Sequence, residues 1–121
     1  MHLSADKVYA DPREDDYPNI VGFHDSSADW CLTLSRFSDL EPDDGTIEVV
    51  VRDQINASTA NLIVDLTRSQ CRVRLDEITA AHLLGIREYI VDFQVDDATY
   101  KSMVDLLRII FEGLPGLTVA V

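Results

Sequence analysis

Three histidines, two cysteines and a large surplus of carboxylates are the groups in this 121-residue chain with chemistry to offer. His2, His24 and His82 are scattered, and no H-E-x-x-H or C-x-x-C motif gives them or the cysteines zinc-ligand spacing. Paired carboxylates can do acid–base work, but only where a pocket perturbs their pKa values. Glu14-Asp15-Asp16 and Asp43-Asp44 fall in polar connections, where carboxylates are solvated. The calcium-loop pattern of acids with a central glycine and a distal glutamate is missing. So are the Gly-rich phosphate loops and the G-x-S-x-G nucleophile elbow. Cys31 and Cys71 both sit in apolar strand patterns, which reads as reduced, buried thiols. These residues lead to a protein that is not an enzyme, with no catalytic residues, no metal and no cofactor.

Charge is more informative. Acids outnumber bases 22 to 10, for a net charge of −12. Such a field repels nucleic acid and anionic membranes and attracts basic proteins, whose encounter it accelerates. The first 60 residues hold 13 acids and 4 bases, the remainder 9 and 6. The competing reading of the acidity is solubility alone. No apolar run reaches the ~20 residues of a membrane span, and the start lacks the pattern of a secretory signal, so a cytoplasmic location is expected. In that setting the sequon-like Asn56-Ala57-Ser58 carries no meaning.

The elements that must position these groups follow from periodicity. An apolar fraction of 46% suits one globular domain spanning 1–121, without disulfides or metal. Period-2 alternation predicts strands over 3–10, 19–24, 30–37, around 47–52, 62–66, 71–75 and 89–95. In the third, Trp30, Leu32 and Leu34 share a side; Trp30 is either a core residue or a partner anchor. Asp76 caps a short helix through Leu84, with Ile78, Ala81 and Leu84 as its apolar stripe and Gly85 at its end. Asp96 or Asp97 caps a long amphipathic helix whose stripe is Tyr100, Met103, Val104, Leu107, Ile110, Phe111 and Leu114. Gly113 and Pro115 end it, and 117–121 is a tail strand or a frayed end. The fold class is therefore α+β: an antiparallel sheet of about six to seven strands, one long C-terminal amphipathic helix packed on a face, and one short helix. A single helix cannot cover so wide a sheet, which must stay partly open or curl on itself.

The order of segments resembles the immunity protein 10 family of bacterial polymorphic-toxin systems. The resemblance runs through VYADPREDD, IVGFHD, LTLSR and EPDDGTIEVVV, then VRLDEITAAHLLGI, VDFQVDD and the helix ending in RIIF. It lies in their order and spacing, not in any single motif. It implies a protein that binds and neutralises a cognate bacterial toxin domain, encoded beside the toxin gene, with no catalytic residues of its own. It leaves the toxin's activity open and carries over no binding residues. From charge, the expected partner surface comprises Glu14, Asp15, Asp16 and Tyr17 with Asp39, Glu41, Asp43 and Asp44. These would face a basic toxin cleft, with a nuclease the leading kind. Solvated connections are the competing reading of the same residues. The alternative function is an acidic binding module of another kind, either a secretion chaperone or a nucleic-acid-mimic inhibitor.

Overall fold

The computed structural model describes residues 1–10, 19–36, 45–52 and 55–120. In place of the single sheet expected, these residues form two sheets of five strands each. One is antiparallel throughout and runs β2 (Lys7–Tyr9), β3 (Asn19–Asp25), β4 (Trp30–Arg36), β5 (Ile47–Val51), β6 (Ile55–Thr59). The other runs β1 (His2–Ser4), β9 (Glu88–Asp92), β8 (Gln70–Arg74), β7 (Ile63–Leu66), β10 (Leu117–Val119). This second sheet is mixed, not antiparallel: β1 pairs with β9 and β10 with β7 in parallel.

The alternation in the sequence sets the inner faces. Val21 and Phe23 pair across to Leu34 and Leu32, and those to Val49 and Val51, in one buried layer. Leu3, Val91, Cys71 and Leu66 form the corresponding row of the mixed sheet, beside Tyr89, Val73 and Val64. The two inner faces meet, with the Phe23 and Phe93 rings 5.9 Å apart between centroids. A wide sheet needs an apolar cover, and the second sheet supplies what one helix could not.

The residues read as one strand over 3–10 divide between the sheets. Ala5 N–H donates to Asp92 O at 2.8 Å and Asp6 N–H to His24 O at 3.0 Å, so the chain crosses from one sheet to the other at that step. Leu3 and Val8 both face the core although they stand five positions apart, an odd step. An unbroken strand would send them to opposite faces.

The long helix is α2, Asp97–Ile110, and Asp96 is its cap, accepting from Thr99 N–H at 2.7 Å. It packs against β3 and β4 of one sheet and β10 of the other. The expected stripe is buried or half-buried, with Leu106 added. The short helix, α1 (Glu77–His82), is capped by Asp76 and lies along β6. Its orientation differs from the expected one. Thr79, Ala80 and Leu83 are buried, while Ile78, Ala81 and Leu84 face outward. Gly116 sits where any side chain would strike Leu62 O, with 1.9 Å left for a Cβ, and its own carbonyl accepts from Val64 N–H as β10 enters the sheet.

Candidate partner-binding surface

Strand register brings the bases of the two acidic connections together. Asn19 pairs with Arg36, Tyr9 with Gly22 and Ser35 with Glu48. The end of β2, the start of β3, the end of β4 and the start of β5 thus lie at one end of the antiparallel sheet. Residues 11–18 join the first two of these ends and 37–44 lie between the second two. Asp11, Glu14, Asp15 and Asp16 against Arg13 give the first segment −3; Asp39, Glu41, Asp43 and Asp44 give the second −4. Sixteen residues therefore carry −7 of the chain's −12. The sequence-predicted site residues Glu14, Asp15, Asp16, Tyr17, Asp39, Glu41, Asp43 and Asp44 all fall in these segments, outside the described residues.

The same end is anchored by Arg36, which is only 8% exposed. Its Nη1 donates to Ile110 O at 3.0 Å and to Glu112 O at 2.6 Å. The last carbonyls of a helix have no intrahelical donor and form the negative end of its dipole. The guanidinium donates to one such carbonyl, that of Ile110, and to that of Glu112 in the turn that follows α2. Arg36 thereby fixes the end of β4 to the C-terminus of α2.

At the other end, Asp25 gathers four donors: Ser27 Oγ at 2.7 Å, Ser4 N–H at 2.8 Å, Ser27 N–H at 3.0 Å and Ala28 N–H at 3.1 Å. The Ser27 hydroxyl leads in stabilising the ionised form, and the carboxyl is held down at about 2. Asp6 accepts from the Ser26 hydroxyl and backbone in the same turn and is also lowered. These aspartates tie β1 to the β3–β4 turn. Trp30 lies on the core side here, its ring 6.4 Å from that of Tyr89 and 5.8 Å from the Arg52 guanidinium. Its indole nitrogen and the Tyr89 hydroxyl are buried without hydrogen-bond partners, and burial pushes Tyr89 up to about 12.

The remaining chemical groups stay apart. His2 pairs with Asp92, which also accepts from Gln70 Nε2 at 2.9 Å. His24 is 3.4 Å from Ser26 Oγ, and His82 stands on α1. Among the described residues no three such groups converge to hold a metal ion. Cys71 is buried and pushed up to about 12 by desolvation. Cys31 is only half-buried, a correction to the expected pair of buried thiols; it faces outward across from His24. The outer face of the mixed sheet carries the ion pairs Arg72–Glu88 at 3.1 Å and Arg74–Asp65 at 3.0 Å, which balance each other.

Sequence reasoning missed one surface. A groove of about 330 Å³ runs between β6 and α1, lined by Asn56, Ala57, Ser58, Ile78, Thr79 and His82. Its signal was present in Ile78, an apolar residue assigned to the core stripe of α1. The neighbouring cap, Asp76, gave the start of the helix but not its rotation.

Compared with family models, with curated proteins and with solved structures, the chain matches none.

Proposed function

We propose that this chain is an immunity-type inhibitor, which binds a cognate bacterial toxin domain and neutralises it by covering its functional surface. The observation that carries the reading is the register of the antiparallel sheet. The strand ends that flank two segments holding −7 between them lie together at one end of the antiparallel sheet. A concentrated field steers a basic partner into contact and raises its association rate. An inhibitor that must reach its toxin before the toxin reaches a target depends on that rate. Arg36 ties that end of the sheet to the C-terminal end of α2. The order of sequence segments points to the same class of protein.

The test is co-expression. The C-terminal domain encoded by the gene immediately upstream is expressed alone in a naive bacterium, then together with this chain. Restored growth and co-purification support the reading; absence of toxicity, of rescue or of a complex removes it. With the complex in hand, Asp15, Asp16, Asp43 and Asp44 are changed together to lysine. The association rate is expected to fall at least tenfold and to lose most of its salt dependence (about 10-fold or more is typical of removed steering). An unchanged rate and salt slope would place the interface elsewhere.

A further inference from the structure

The carboxyl ends of β1 and β9 meet in the mixed sheet, because the two strands run parallel and Ser4 stands beside Asp92. The turn that leads into β8 joins them. Phe93 N–H donates to Ser69 O at 3.0 Å, and Ala5 N–H to Asp92 O at 2.8 Å. Ser4 N–H donates to Asp25, at the end of β3 away from Asn19 and Arg36. These bonds commit the backbone and leave the side chains. At this junction lies a cavity of about 470 Å³, lined by Ser4, Ala5, Ser69, Asp92, Phe93 and Gln94.

Its polar lining is one carboxylate and three uncommitted side chains. Among the described residues, none donates to or accepts from the Ser4 hydroxyl, the Ser69 hydroxyl or the Gln94 amide. The Asp92 carboxyl is held below its usual range, first by Gln70 and then by His2, so it is ionised. Gln70 bonds one of its oxygens at 2.9 Å and His2 the other, and each oxygen keeps a second lone pair. Four acceptors therefore line the cavity, and no arginine, lysine or histidine does. Arg68, next to Ser69, is already bonded to Val95 O at 2.7 Å and Asp97 at 3.0 Å. An anion would meet Asp92 with no lining cation to offset it. An apolar ligand would strip water from the hydroxyls and the amide and return nothing. A guanidinium brings a positive charge and five donors in one plane, which several separate acceptors can share; an ammonium concentrates three donors at a point.

We propose that this cavity takes a guanidinium group, presented by an arginine side chain of a protein partner. The chain's net charge of −12 favours the cation's approach. The inference deepens the toxin-binding reading by naming a contact remote from the strand ends that flank the two acidic segments. It rests on that reading for the arginine's belonging to a protein. It is tested without a toxin, so the two can fail separately.

The probe is an arginine flanked by glycines in a blocked tripeptide, with lysine and glutamate counterparts and with argininamide as the small-molecule source of the same group. Each is titrated into the full chain while backbone amide shifts are followed. The arginine peptide is expected to shift residues 4, 69 and 92–94, the lysine peptide to bind there about threefold more weakly, and the glutamate peptide to leave them unmoved. Asp92→Asn keeps the shape and removes the charge, and should weaken the arginine peptide about tenfold or more. Ser69→Ala with Gln94→Ala alters side chains that hold nothing else in the fold, and should weaken it about fivefold; this variant stands if Asp92→Asn misfolds. Absence of binding, shifts elsewhere, equal binding of the lysine or glutamate peptide, or an unchanged affinity in the double variant would each overturn the proposal. Argininamide binding more tightly than the peptide would overturn the assignment to a protein's arginine.

Discussion

Replacing Arg36 by methionine keeps most of the apolar stem and removes the guanidinium that holds α2 to β4. Two carbonyls, Ile110 O and Glu112 O, lose a charged donor. A hydrogen bond to a charged group contributes about 1.5–3 kcal/mol. Glu112 is exposed and its carbonyl regains water, so most of the loss falls on the buried Ile110 carbonyl and on the helix-end charge interaction. Together these come to about 3 kcal/mol. For a chain of 121 residues, at about 2.1 cal/mol/K per residue, that lowers Tm by about 12 °C. Thermal melts and urea titrations read the global loss. Amide exchange across residues 107–112 reads its origin, which should show local fraying beyond the global change. Arg36→Lys, which keeps one charge but not the planar fork, should recover part of the loss. A Tm within about 3 °C of wild type, or fraying no greater at the helix end than elsewhere, would refute the reasoning.

Asp25 predicts a pH dependence. Its folded-state value, about 2, lies below its ordinary value near 3.8, so its contribution is complete above about pH 4 and drains away as the pH falls towards 2. Asp25→Asn should be less stable than wild type at pH 7, with a shallower loss through that window and convergence near pH 2 in acid-unfolding curves; parallel curves would contradict it. The cysteines predict a count. A thiol-specific chromogenic disulfide should titrate Cys31 in the native protein and reach Cys71 only in denaturant, because Cys71 is buried and held at about 12. Two thiols reacting at one native rate would mean that the core opens readily.

What was legible in the sequence is what local physics decides. Asp76 caps its helix as read, and of the two candidates Asp96 and Asp97 it is Asp96 that caps α2, since an aspartate before an apolar-periodic run favours that use. Alternation assigned the inner faces of β4, β5, β8 and β9 correctly, and the α2 stripe with them. The division into two sheets was not legible, because alternation says which side a residue faces and not what covers it. The inward phase slip from Leu3 to Val8 was the one local trace of the crossing, and a single odd step in eight residues is easily absorbed into one strand. β6 escaped notice because Ile55 is its one large apolar inward residue, beside the small Ala57 and the polar Thr59, and its pairing is inherited from β5. The tail was left between strand and frayed end; it is a strand because Gly116 lets it approach Leu62 closely. The rotation of α1 was misread for a physical reason: its buried face is Thr79, Ala80 and Leu83, one of them polar, and a six-residue helix offers too few turns to settle the phase.

The parallel pairing of β1 with β9 has a consequence for how the chain comes to be folded. The antiparallel sheet is built from residues 7 to 59 and is linked by consecutive hairpins, so it can assemble while synthesis is under way. The mixed sheet cannot. Residues 2–4 must wait for residues 90–92, and β7 for a partner that follows α2. The ribosome therefore releases a half-covered sheet, whose apolar face is exposed until the last quarter of the chain arrives. Closure of so long a loop is slow, and the interval is when this protein is most open to aggregation or to capture by a chaperone.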